Sequence, residues 1–206
     1  IPILCGGTGF YIQAIVDGVI LPNVPPNPHL RKELADLPTD ELITRLKARD
    51  PNRAREIDLN NRHRLIRAIE IATQLGTVPK EKKTETYSVL HIGLTTDDSI
   101  LKQKIHDRLY KRMRRGMLAE VRRLHEKGLS WKRMEALGLE YKYLALFLQG
   151  AYSKKEDMLK ELETASWHYA KRQKTWFKRD KRIIWIHPED YHKAYALVKD
   201  FLSSYT

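Results

Sequence analysis

Four prolines at 22, 25, 26 and 28 divide this chain more firmly than any other stretch. Each fixes its own φ and lacks a backbone N–H, so no regular helix runs through them, and the segment reads as a hinge or subdomain boundary. Before it, the apolar run Ile1-Pro2-Ile3-Leu4 meets Gly6, Gly7 and Gly9, and Ile12, Ile15, Val16 and Val19 follow at helical spacing. That order predicts a strand, a tight loop, and a helix over residues 11–19 that ends near Gly18. Glycines let the backbone turn sharply and come close to a ligand, and a helix start leaves N–H groups free to face it. The loop has no Gly-Lys-Ser/Thr and no GxGxxG spacing, so taken alone it fits a binding loop and a plain strand-to-helix turn equally.

Beyond the prolines, short helical patterns are expected at residues 29–35, 40–48 and 53–57, with Pro38 and Pro51 suited to first turns. Leu42, Ile43 and Leu46 share one side. Helices this short cannot hold themselves and must pack as a small bundle. Asn60 or Asn61 is a good N-cap for a helix over residues 62–75, which Gly76 ends. Its apolar face is Leu65, Ile66 and Ile69 with Ala72 or Thr73. Arg64 and Arg67, three apart, suit phosphate oxygens or pair with Glu70. A polar link over residues 79–85 leads into a buried strand over 87–94.

A long helix over residues 100–127 carries the stripe Ile105, Leu109, Met113, Met117, Val121 and Leu124. Arg108, Arg112, Arg115 and Arg122, joined by Lys111, run along a neighbouring face. Gly116 inside it predicts a close packing neighbour or a bend. Residues 131–149 read as a helical pair or kinked helix around Ala136-Leu137-Gly138-Leu139. The last long helix, 154–178, turns Met158, Leu162, Ala165, Tyr169, Gln173, Trp176 and Phe177 inward or partly inward, with Trp167, Lys171, Lys174 and Lys178 on another face. Residues 182–187 form a strand, and 191–202 a closing helix with Ala194, Leu197, Val198 and Phe201 inside.

The excess of 38 Lys and Arg over 26 Asp and Glu, a net +12, gathers into stripes. It points to a polyanionic partner, most often nucleic acid, with a solvated basic surface as the plain alternative. No apolar run approaches the roughly 18 residues of a membrane span, so a soluble protein is expected. A single cysteine, Cys5, excludes an internal disulfide and a Cys-based zinc site, and a reducing intracellular setting is the simplest reading. Starting in mid-strand with no Met, the chain reads as a piece of a longer protein. His63, His91, His106 and His168 are scattered without metal-pair spacing, Ser99, Ser130 and Ser166 lack a nucleophile elbow, and Asp97-Asp98 fit an N-cap and first turn. What remains is Thr8 among the glycines and several arginine-bearing helices: a positioning surface without its own acid, base or metal.

Five stretches in order resemble the tRNA dimethylallyltransferase (isopentenyl-diphosphate:tRNA transferase) family. They are Gly6-Gly7-Thr8-Gly9-Phe10-Tyr11; Asp50-Pro51 with Ala54 and Ile57; Asn60-Asn61 with Arg64-Leu65-Ile66-Arg67-Ala68-Ile69-Glu70; Gly116-Met117 with Glu120-Val121; and Tyr169-Ala170-Lys171-Arg172-Gln173-Lys174-Thr175-Trp176-Phe177. The resemblance implies an α/β, P-loop NTPase-like core, partial and helix-rich here, with a helical insertion subdomain closing over a channel. On that scheme residues 1–22 belong to the core with its substrate loop, 23–84 are the insertion, and 85–206 complete the core. Dimethylallyl diphosphate enters one end. The adenosine 3′ to the tRNA anticodon is flipped in from the other, and its N6 amine attacks the allylic carbon as diphosphate leaves.

By position, the resemblance makes Thr8 a channel residue beside the flipped base, against the plain role of capping its helix, and makes Arg31 a tRNA contact. It gives His63-Arg64-Leu65-Ile66-Arg67 the same partner. Arg108 and Arg112 are candidates for the diphosphate side, and Lys171, Arg172 and Lys174 for an RNA-facing edge. The phosphate loop, the general-base aspartate and the ligands of Mg²⁺ are expected in a segment before Ile1, so this piece alone is expected to be inactive. A cytoplasmic monomer acting on a tRNA anticodon stem-loop, away from any membrane, completes the expectation. The chain also departs from the family. Asp98 stands where an arginine is usual, and Glu135, Leu139 and Glu140 replace a tyrosine with basic neighbours, which Lys132, Arg133 and Lys142 could offset. A non-catalytic RNA-binding module and a P-loop kinase relative are the competing readings.

Overall fold

The computed structural model describes residues 1–80, 82–84 and 87–204, with Lys82 and Lys83 as backbone alone. Glu81 and Glu85 of the expected polar link lie outside the described residues, as does Thr86 ahead of the expected strand. Contacts divide the chain into two units, Phe10–Ser88 and the remainder.

The Phe10–Ser88 unit is helical. After most of α1 (Gly9–Val16) come β1 (Val19–Ile20), α2 (Pro28–Ala35), α3 (Thr39–Arg49), α4 (Pro51–Glu56), α5 (Arg62–Leu75) and β2 (Lys82–Lys83). Caps set these starts. Asn27 accepts from the Leu30 N–H at 3.0 Å, Asp50 from Arg53 at 2.8 Å and Asn61 from Arg64 at 3.1 Å, while Pro28 and Pro51 fill first-turn positions whose N–H would go unused. Leu34, Leu42, Leu46, Leu65 and Ile69 close the core, the last four as the spacing predicts, while Ile43 and Ile66 of the expected faces are only partly buried against it. The unit takes in more than residues 23–84. β1 pairs antiparallel with β2, and the Thr84 N–H donates to the Gly18 carbonyl at 3.2 Å, so residues 10–22 pack with the helical unit. Gly18, at φ +57°, is a required glycine, since a Cβ there would lie 1.7 Å from the Thr84 carbonyl oxygen.

The second unit is an α/β arrangement with a small parallel sheet. It holds β3 (Ile92–Leu94), α6 (Asp98–Arg114), α7 (Met117–Glu126), α8 (Trp131–Glu135), α9 (Leu139–Leu148), α10 (Lys155–Phe177), β4 (Ile184–Ile186) and α11 (Tyr191–Ser203). β3 and β4 run parallel, with Gly93 opposite Trp185. Leu109, Met117, Val121, Met134, Leu144, Met158 and Leu162 pack the helices together.

Several expectations change. Ile1 and Ile3 are exposed and form no strand, because a strand needs a neighbour to satisfy its backbone and the described residues pair none with them. The strand over 87–94 shrinks to β3, with Tyr87 and Leu94 exposed. The long helix is two: Gly116 at φ +89° breaks it, and since nothing lies within 4 Å of a Cβ there, backbone conformation and not a close neighbour selects glycine. Tyr169 lies 42% exposed, and none of α11 is buried; Ala194, Leu197 and Phe201 are half-buried and Val198 is exposed.

Candidate functional site

The glycine loop is held from below by α10. Gln173 Nε2 donates to the Gly7 carbonyl at 2.8 Å, and a Cβ on Gly9 would lie 2.1 Å from the Trp176 ring. Two of the stretches on which the sequence resemblance rests thus meet, although 166 positions separate Gly7 from Gln173. Between the two glycines Thr8 is exposed. Its hydroxyl makes no hydrogen bond among the described residues, so it does not cap α1 and is free for a ligand.

At the carboxyl ends of β3 and β4 lies a cavity of about 520 Å³ lined by Thr95, Thr96, Asp98, Lys174, His187 and Lys193 among others. In parallel sheets ligands gather at this end, where helix starts point their N–H groups. Asp98, at the start of α6, accepts from Lys174 Nζ at 2.5 Å, and that bond pulls its carboxyl below the usual aspartate range. The residue that departs from the expected arginine is therefore paired with a cation of the α10 basic edge. On that edge Lys171 and Arg172 are exposed. Arg172 lies over the Tyr169 ring at 5.7 Å, Arg179 over Trp176 at 5.5 Å, and Lys102 over Trp167 at 4.9 Å.

Arg108 and Arg112, the candidates for the diphosphate side, both turn to Glu140 of α9. Arg112 bonds it closely through Nη1, and Arg108 approaches at 3.8 Å while staying 66% exposed. Beside them the Tyr141 hydroxyl donates to Glu120 at 2.5 Å, which raises the tyrosine pKa.

In the helical unit, Arg31 and Arg67 converge on Glu70. Arg31 donates from Nε at 2.9 Å and Nη2 at 2.8 Å, Arg67 donates through Nη1, and the Asn27 N–H completes the set at 2.7 Å. Arg67 also donates to the Val24 carbonyl at 2.9 Å, fastening the proline segment to α5. Glu70 is 2% exposed. Burial alone would raise its pKa, but the bonds from Arg31, Asn27 and Arg67 prevail and bring it to about 2. Arg31 keeps 42% of its side chain in solvent, and its Nη1 makes no bond among the described residues.

The segment expected to touch RNA divides by burial. His63 and Arg64 are exposed, Ile66 is half-buried, and Leu65 is fully buried in the helical core, so the Leu65 side chain has no surface to offer a partner. Sequence spacing offers an Arg67–Glu70 pair but gives no sign that Arg31 joins it or that Arg108 and Arg112 share Glu140. Glu70 sits on the buried face of α5 where an apolar residue belongs, and Glu140 looked like a loss of positive charge. Among the described residues no three His, Cys, Asp or Glu side chains gather to hold a metal ion, and no helix is long and apolar enough to cross a membrane.

The model of a family described as IPP transferase matches residues 1–180. A tRNA dimethylallyltransferase 2 of Citrifermentans bemidjiense is 43% identical over 86% of this chain and 57% of its own length. Among solved structures, the full-length tRNA isopentenylpyrophosphate transferase from Bacillus halodurans superposes with a TM-score of 0.59 at 27% identity, covering 96% of this chain and 64% of that one. A eukaryotic dimethylallyltransferase acting on tRNA gives a TM-score of 0.78 at 23% identity, over 97% of this chain and 56% of that one, a likeness of fold. The chain therefore spans less than two thirds of the length of each of these three proteins.

Proposed function

Since the chain belongs to the IPP transferase family, we propose that the protein it comes from is a tRNA-modifying prenyltransferase. It transfers a dimethylallyl group from dimethylallyl diphosphate to N6 of the adenosine 3′ to the anticodon, working as a cytoplasmic monomer. The finer fold reading, a P-loop NTPase-like core bearing a helical insertion, belongs to the same proposal. In the reaction the N6 lone pair forms the new C–N bond, the allylic C–O bond breaks with its electron pair going to diphosphate, and the amine proton leaves to a base outside these residues. Mg²⁺ belongs to the proposal as a counterion of diphosphate. Among the described residues no group of His, Cys, Asp or Glu side chains would hold it.

This chain's residues bind and orient. The observation that carries the reading is the seating of the Gly7-Thr8-Gly9 loop on Gln173 and Trp176, which leaves the Thr8 hydroxyl unbonded beside two motifs of the family. Arg31, His63 and Arg64 supply exposed positive or polar groups for the RNA backbone, whose phosphates dominate affinity. Lys171 and Arg172 extend a basic, aromatic-flanked edge suited to the same polyanion, and Arg108 and Arg112 serve the departing diphosphate. The test is transfer of a labelled dimethylallyl group by the full-length protein to an anticodon stem-loop. Labelled N6-dimethylallyladenosine after nuclease digestion is the expected product. RNA binding without transfer, or phosphoryl transfer from ATP in its place, would overturn the proposal.

A further inference from the structure

We infer that Gln173 and Trp176 are positioning residues that set where Thr8 presents its hydroxyl. The inference rests on the proposed function for what Thr8 faces, and on geometry for how Thr8 is held. Gln173 and Trp176 stand three residues apart on α10 and so project side by side. Gln173 donates to the Gly7 carbonyl at 2.8 Å, and Trp176 occupies the space a side chain at residue 9 would need. Both neighbours of Thr8 are thus seated on one helix, while Thr8 itself touches no hydrogen-bond partner among the described residues.

Gly7 is not in the left-handed region, so its backbone conformation would tolerate any residue. What a side chain there would meet is the Gln173 amide, the mobile end of its side chain, 2.2 Å from where a Cβ would lie, so a residue other than glycine must displace it. Side chains at residues 7 and 9 are therefore opposed by α10 and not by the turn itself. The helix in turn is fixed by Met158, Leu159 and Leu162 in the core and by the bond from Lys174 to Asp98. A loop so fastened inherits the rigidity of a 23-residue helix, and a shift of about 1 Å in a group that orients a reactant costs on the order of a hundredfold in rate.

The test uses the full-length protein and the variants Gln173→Leu, which removes the donor, and Gly7→Ala, which pushes the amide aside. Each is expected to lower kcat about tenfold or more, with KM for dimethylallyl diphosphate changed less than about twofold. The double variant should be no slower than the slower single one, since both break one contact. A Gln173→Leu enzyme with kcat within about twofold of the parent, or losses that multiply in the double variant, would overturn the inference. If Gln173→Leu does not fold, Gln173→Glu keeps the size and sets an acceptor against the carbonyl, with the same expected loss. Should the parent protein transfer nothing, the function fails first. The clasp is then judged by amide hydrogen exchange over residues 5–9, which Gln173→Leu should speed about tenfold or more if the clasp holds, while unchanged exchange would refute it.

Discussion

Replacing Glu70 with glutamine tests whether one buried carboxylate organises the helical unit. In the folded chain its pKa is about 2, against an ordinary 4.5. At 1.36 kcal/mol per pH unit the difference amounts to about 3 kcal/mol of stability at neutral pH. Because the folded value is depressed, that stability is present above 4.5 and is lost as pH falls from there towards 2. The amide introduced by Glu70→Gln would keep one oxygen for the Asn27 N–H or for Arg31 but would leave two guanidiniums without a counter-charge. Since both arginines are partly exposed and can turn to water, the cost should fall short of the roughly 3 to 5 kcal/mol of a fully buried broken pair. We expect about 2 to 3 kcal/mol, or roughly 30- to 150-fold in opening. All four tryptophans lie outside this unit, so fluorescence would report on the wrong one. Amide hydrogen exchange of the α5 peptides is the suitable assay. At pH 7 the variant should lose protection by the stated factor, and parent and variant should converge as pH falls towards 2. Protection within about threefold of the parent at pH 7, or a gap that persists at pH 2, would refute the argument.

Gly116→Ala should destabilise the second unit by about 1 to 2 kcal/mol, because φ is +89° there while space for a methyl group is open. Urea unfolding followed by tryptophan fluorescence reads this directly, and an unchanged midpoint would mean that the α6–α7 junction relaxes freely. Arg64→Ala, at an exposed position without a side-chain partner among the described residues, should leave stability unchanged. In the full-length protein it should weaken anticodon stem-loop binding at all sequences alike and reduce the salt slope by about one; an unaltered slope would take Arg64 out of the RNA contact.

Features set by local rules were legible in the sequence. Asn61 and the first-turn Pro51 announce helix starts, Gly76 and Gly116 announce ends or bends, and the Leu42/Leu46 and Leu65/Ile69 spacings give the core of the helical unit. Pairing between distant segments was not legible. A two-residue strand such as β1 carries no period, so its match with β2 could not be read, and with it went the allocation of residues 10–22. The site divides in the same way. Thr8 was singled out by its glycines, but what opposes side chains beside it lies far away on α10, at Gln173, 166 positions from Gly7, and at Trp176 against Gly9. Burial separated Leu65 from Arg64 within a segment that motif reading treats as one.

The two carboxylate hubs change how the departures from the family pattern are understood. Arg31 and Arg67 share Glu70, and Arg108 and Arg112 share Glu140, so each cluster keeps one net positive charge. A guanidinium held this way meets phosphate with its rotamers already restricted, and less ordering entropy is lost than for a free arginine. The price is a weaker field, since the carboxylate cancels part of the attraction. Glu140 therefore does more than remove positive charge from the α9 start. It holds Arg112 of α6 and draws Arg108 towards it, and its replacement by glutamine would strengthen the local positive potential while loosening Arg112. Affinity for a polyanion and the precision with which it is held should then move in opposite directions, which distinguishes an organising carboxylate from a merely repulsive one.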